Sequence, residues 1–190
     1  MLYIIGGNRD GVSSSEVFEV DLKHRTVFPL QNMNHARRRF HAVYDKKHIY
    51  CIGGTEGSSH SLFEKFNIEE KTWVDLAPLE PGYTPTVVVA DKYFILAFSA
   101  KEPQYFFKYL IMDNKWVKEE SQGISKMVLD FPTVCMANYG RKIVFGKAVR
   151  DTNNVEIAQF DPLTNKLTVH LHSALPEELL PLVLTPLYQK

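Results

Sequence analysis

Short stretches along the chain alternate apolar and polar positions with a period of two. The pattern is clearest in RFHAVYD (Arg39–Asp45), VFEVD (Val17–Asp21) and FEKFN (Phe63–Asn67). Such alternation predicts half-buried β-strands, and the β-branched and aromatic residues that fill them fit a pleated surface. Three other runs are continuously apolar: VVVA (Val87–Ala90), YFILAF (Tyr93–Phe98) and KIVF (Lys142–Phe145). Continuous runs of this length suit inner strands buried on both faces. No segment sustains a helical period. A single helix candidate stands late in the chain, SALPEELL (Ser173–Leu180). Ser173 could cap it, Pro176 fits its first turn, and Pro181 would stop it.

The strand signals recur at a fixed interval. LYIIGG (Leu2–Gly7) returns as IYCIGG (Ile49–Gly54), and each glycine pair leads into a polar segment, NRDGVSSSE or TEGSSHS, expected to be a loop. An alternating strand follows, ending at Asp21 and again at Asn67, and six residues on comes an apolar anchor, Val27 and then Trp73. The same offset links Leu110 to Trp116 and Asp161 to Leu167. Four copies of one unit are therefore legible, with a mean period of about 47 residues. Each unit reads as four short strands.

A hydrophobic run ending in Gly-Gly, a polar segment, an aromatic strand, a turn and a Trp six residues on resembles the Kelch repeat. Met33, Arg37 and Ile49 stand at consensus positions of the same unit, so Met33–Trp73 makes one complete copy. The third and fourth copies are degenerate: Ala97-Phe98 or Phe98-Ser99 replaces the glycines in one, and Gly146 alone remains in the other. The resemblance implies an all-β fold, a Kelch-type β-propeller of about four blades in one domain over 1–190. The expected units run about 1–30, 31–79, 80–122 and 123–172, with 173–190 as a tail or closing strand. The glycine pairs would allow close backbone approach, Asp21, Asn67 and Asp161 would brace turns, and Trp73 and Trp116 would pack on the adjacent blade. Leu2 opens on the second strand of a blade. Either Leu180–Lys190 closes a small ring by pairing with Leu2–Ile5, or the ring is incomplete and an assembly partner completes it. Pro181 and Pro186 favour the second, since proline cannot donate to a strand ladder.

Charge narrows the function classes. Twenty-two Lys and Arg balance 22 Asp and Glu, which removes the basic footprint of a nucleic-acid binder. No apolar stretch reaches the roughly 18–20 residues needed to span a bilayer, and MLYIIGGN lacks the form of a secretory signal. The two cysteines, Cys51 and Cys135, sit in apolar strand runs without C-x-x-C spacing, which suits buried thiols in a reducing, cytoplasmic setting.

Catalytic motifs are not evident: the sequence has no dinucleotide fingerprint, phosphate-binding P-loop or nucleophile elbow. His170 and His172 would share one strand face but lack a third ligand of suitable type nearby, and the Glu pairs at 69–70, 119–120 and 177–178 point to opposite faces. No catalytic residue, metal site or cofactor is therefore expected. In Kelch substrate adaptors, which the chain resembles, one face is built from the segment after Gly-Gly and the residues entering the next first strand. Mapped by that resemblance, the face comprises Arg9, Ser13–Ser15, Arg38, Arg39, Ser58, Ser59, His60 and Tyr83. Arg39 resembles a carboxylate-binding arginine of acidic-peptide-binding Kelch domains. The implied role is a protein-interaction module for a protein partner, and its finer form is substrate adaptor of a ubiquitin ligase. Alternatives are a structural subunit of a large cytoskeletal or ciliary assembly, and a Kelch-like oxidase or sugar epimerase.

Overall fold

The computed structural model describes residues 1–54, 61–85, 87–90, 93–99, 102, 104–120, 134–139, 142–148 and 155–172. These form four antiparallel sheets that follow one another along the chain. The first contains β1 (Leu2–Arg9), β2 (Val12–Asp21) and β3 (Thr26–Pro29). The second contains β4 (His41–Tyr44), β5 (His48–Ile52), β6 (Phe63–Asn67) and β7 (Thr72–Asp75). The third runs through β8 (Val87–Ala90), β9 (Phe94–Phe98), β10 (Tyr105–Leu110) and β11 (Lys115–Glu120). The fourth is β12 (Val134–Tyr139), β13 (Lys142–Ala148), β14 (Val155–Asp161) and β15 (Lys166–His172). Each is an up-and-down meander of neighbouring strands, and the described residues form an all-β array consistent with a partial β-propeller. The innermost strands β4 and β8 lie against each other, as do β8 and β12. The helix candidate at 173–180 and the closing-strand candidate Leu180–Lys190 lie outside the described residues.

The repeat is written into the backbone as well as the sequence. In each sheet the turn before the outer strand ends on a residue with positive φ: Arg25 (55°), Lys71 (57°), Asn114 (47°) and Asn165 (54°). Each stands two places before the anchor of its repeat. The residues opening these turns brace them. Asp21 accepts hydrogen bonds from the Lys23 and His24 amides, Asn67 from those of Glu69 and Glu70, and Asp161 from that of Leu163. Leu110 has no such side chain, and in that turn Asn114 instead accepts from the Tyr109 hydroxyl and the Ala77 amide.

Consecutive sheets are stitched by the linkers between them. The Leu30 amide donates to the Val17 carbonyl and that of Met33 to Ser15. One repeat later, Leu76 donates to Phe63 and Leu79 to Ser61. The anchoring tryptophans close the same seams: the Trp73 indole donates to the Gln31 carbonyl at 3.0 Å, and that of Trp116 to Ala77 at 2.9 Å. Val17 of the first sheet and Met33 of the following linker pack with Ile49, Cys51, Phe66 and Trp73 of the second sheet. Tyr50, Ile52 and Phe63 pack with Ile95, Ala97, Phe107 and Tyr109 of the third. Phe160 inserts edge-on between Phe98 and Phe106, joining the third sheet to the fourth. Trp73→Phe keeps the ring packing but orphans the Gln31 carbonyl, so a loss of about 1 kcal/mol in urea unfolding is expected.

One expected loop is a hairpin. NRDGVSSSE continues β1 to Arg9 and starts β2 at Val12, leaving only Asp10 (φ 52°) and Gly11 (φ 87°) between the paired residues Arg9 and Val12. Positive φ at both central positions is the two-residue turn that matches strand twist, and Asp-Gly is one of its preferred sequences. Gly6-Gly7 interrupts the register of this hairpin with a bulge between Ile5 and Gly7.

Candidate functional site

The rim is built where the linker Leu30–Phe40 passes the tip of the β1–β2 hairpin. Arg37 fixes the linker from within. Its side chain is completely buried, as is that of Glu64, and the two are 2.7 Å apart. The guanidinium also donates to the carbonyls of Gly53 (2.8 Å) and Leu62 (3.1 Å). The second Glu64 oxygen accepts the Asn34 amide at 2.9 Å. Burial pushes the Glu64 carboxyl up, against the opposing pull of Arg37 and Asn34. The Arg37 amide donates to Ser14 and its carbonyl accepts from Gly7, both at 3.0 Å, so the linker is tied to the hairpin through its backbone as well.

With Arg37 turned inward, its neighbours turn outward. Arg38 donates to the Gly11 carbonyl at 2.6 Å and approaches Asn8 Oδ1 at 3.4 Å, clasping the hairpin tip. Arg9, on the same hairpin, forms an exposed ion pair with Glu16 at 2.9 Å. Arg39 is exposed and held at φ 52°. Arg9 and Arg38 thus lie on or against the β1–β2 hairpin, and Arg39 follows Arg38 on the linker. Ser13–Ser15 serve the scaffold: Ser13 is buried, the Ser14 hydroxyl accepts the Glu16 amide, and the Ser15 carbonyl takes the Met33 amide. Ser58, Ser59 and His60 lie outside the described residues.

Tyr83 leaves this surface. It is only 5% exposed, its hydroxyl donates to the Ala97 carbonyl at 3.1 Å, and its ring meets Phe107 edge-on at 4.5 Å. The linker hydrogen bonds explain the misplacement. Leu79 holds the place of Met33, so Tyr83 falls at the position of buried Arg37, while Arg39 corresponds to Pro85. The ladder registers likewise align Glu64 with Phe107. The third repeat thus replaces a buried ion pair with an aromatic pair.

Sequence reasoning missed His41 and the Arg37–Glu64 pair. His41 Nε2 donates to the Pro85 carbonyl at 3.1 Å, tying the entrance of β4 to that of β8. Burial holds its imidazole below the ordinary 6.5, only partly offset by the Pro85 carbonyl. The unfolded chain then takes up the His41 proton at higher pH than the folded one. His41 consequently costs no stability above pH 6.5 and destabilises the fold as pH falls below it. His41→Asn should remove part of that acid-side loss, read as thermal midpoints between pH 7.5 and 5.

Among the described residues, no three His, Cys, Asp or Glu side chains converge to hold a metal ion. His170 and His172 fall on β15, the outermost strand of its sheet. Cys51 is fully buried, and burial pushes its thiol up, which suits a packing residue rather than a nucleophile. No helix among the described residues is long and apolar enough to cross a membrane.

Comparison with known proteins agrees with this architecture. Residues 36–80 match the family model of the Kelch motif. The chain is 40% identical over 84 residues to one F-box/kelch-repeat protein of Arabidopsis thaliana, covering 43% of this chain and 20% of the relative. A second F-box/kelch-repeat protein of the same plant is 32% identical over 78 residues, covering 41% and 21%. The matched region spans about one fifth of each relative's length. With the four-stranded repeat, the positive-φ turns and the tryptophan seams that join its sheets, this match identifies residues 36–80 as a segment similar to the Kelch motif.

Proposed function

We propose that the chain is a non-catalytic protein-interaction module whose rim, formed by Arg9, Arg38 and Arg39, binds a carboxylate-bearing segment of a protein partner. The observation that carries this reading is Arg39: an exposed guanidinium on a left-handed backbone, next but one to an anchor buried by an ion pair. Guanidinium groups bind carboxylates bidentately, and a charge set on a braced linker loses little freedom on binding. Arg38 adjoins it in the chain and clasps the tip of the hairpin that carries Arg9, itself paired with Glu16. The relatives' description as F-box/kelch-repeat proteins supports the finer reading of a substrate adaptor for a ubiquitin ligase.

The test is affinity capture with the intact chain, followed by titration of the recovered partner against Arg39→Ala. Alanine keeps the same backbone demand at φ 52°, so stability should hold within about 0.5 kcal/mol, while affinity falls about tenfold or more. Unchanged affinity would overturn the assignment of this rim. Co-purification of ligase subunits would support the adaptor role.

A further inference from the structure

The hairpin tip that Arg38 clasps is the one place in the chain where an aspartate directly precedes a glycine. Asp10 and Gly11 are both exposed, and they alone span the turn between the paired residues Arg9 and Val12. Such a pair sets an electrophile beside a nucleophile: the side-chain carboxyl carbon of Asp10 and the backbone nitrogen of Gly11. After most aspartates a Cβ on the next residue crowds that nitrogen. Gly11 has none, and no heavy atom lies within 4 Å of where one would stand. The Asp10 carboxyl is also uncommitted. Asp21, Asp45 and Asp161 hold theirs on the amides of their own turns, whereas no described residue donates a hydrogen bond to that of Asp10.

We propose that Asp10-Gly11 is a site of spontaneous aspartyl isomerisation, and that the Arg38 clasp sets its pace. The Gly11 nitrogen bonds to the side-chain carboxyl carbon of protonated Asp10. The amide proton and the carboxyl hydroxyl leave together as water, and a five-membered succinimide ring remains. Water then adds back across one of the ring's two carbon–nitrogen bonds. Opening at the side-chain carbon restores the aspartyl residue. Opening at the main-chain carbon leaves Gly11 joined through the side chain, an isoaspartyl residue with one extra backbone carbon. Ring closure rotates the peptide between Asp10 and Gly11 and carries the Gly11 carbonyl with it. Arg38 opposes that movement, because it holds this carbonyl at 2.6 Å and approaches Asn8 at 3.4 Å. The product fits no better: an extra backbone carbon spoils a two-residue turn whose central residues stand at φ 52° and 87°. The Arg9 to Val12 pairing and the Arg38 contact are then lost together. Isomerisation needs no partner, so it stands apart from the reading of Arg9, Arg38 and Arg39 as a binding rim.

The intact folded chain, aged in water enriched in heavy oxygen and then digested with trypsin in ordinary water, reads the reaction directly. Each ring opening adds one heavy oxygen to the tryptic peptide 10–23, and fragmentation locates it. Progressive uptake at residue 10 is expected, with a second chromatographic form of the same peptide. Asp10→Glu should abolish the uptake, because closure would then need a six-membered ring. Asp10→Ser should abolish it for want of a carboxyl. Arg38→Ala should speed it about threefold or more, the worth of the hydrogen bond it removes, with an unchanged circular dichroism spectrum. Arg38→Gln, which keeps a donor for the Gly11 carbonyl, should fall between Arg38→Ala and wild type. No uptake at residue 10, equal uptake at Asp21, or a rate indifferent to both changes at Arg38 would each overturn the proposal.

Discussion

Arg37→Met is expected to destabilise the chain by about 3–5 kcal/mol, the cost of breaking a fully buried ion pair by removing one member. The change strands the Glu64 carboxylate in the core and leaves the Gly53 and Leu62 carbonyls without their shared donor. The third repeat shows a different solution to the same position, with Tyr83 and Phe107 in ring contact and the tyrosine hydroxyl on the Ala97 carbonyl. Arg37→Tyr combined with Glu64→Phe should therefore recover at least half of what the single change loses. Urea unfolding of the two variants beside the wild type decides it. A single variant within about 1 kcal/mol of wild type would show that the pair contributes little beyond an apolar replacement.

Gly6→Ala is expected to cost about 2–4 kcal/mol through two separable effects. A Cβ at Gly6 would stand 2.7 Å from Met33 Cε and 2.9 Å from the Arg37 carbonyl oxygen, on a residue whose φ is 54°. The methionine tip can move aside. The carbonyl cannot do so freely, because it accepts the Gly7 amide at 3.0 Å and belongs to the linker anchored by the buried guanidinium. Gly7→Ala supplies the control, with φ 106° and no heavy atom within 4 Å of the added carbon. It should show backbone strain alone, about 1–3 kcal/mol. Equal losses at the two positions, measured in the same denaturant series, would rule out the contact with the linker as a cause.

Much of the fold could be read from the sequence because its repeat depends on turns and anchors that are local. The six-residue step from Asn67 to Trp73 encodes a braced turn, a positive-φ residue and an indole aimed at the preceding linker. The site was harder to read, for reasons that particular residues make plain. Counted along the sequence, Tyr83 falls within a residue or so of the place that Arg39 holds one repeat earlier, which reads as the rim. Only the hydrogen bonds of Leu79 reveal that the linker is counted from Met33 and that Tyr83 replaces Arg37. Glu64 sits in an alternating strand, where a carboxylate signals the solvent side. It is buried because its partner arrives from a segment 27 residues earlier, and strand periodicity carries no trace of that. The first hairpin was hidden for the opposite reason. Asp10-Gly11 is a strong turn signal, but the serines and charges around it have the composition of a loop.

The stitched linkers bear on how the chain is made. Leu30 and Met33 bond to the first sheet before the chain enters the second, and Leu76 and Leu79 bond to the second before it enters the third. Each finished sheet thus offers the template that sets the register of the next one to emerge from a ribosome. The sheets can be added in the order of synthesis, without waiting for contacts between distant parts of the sequence.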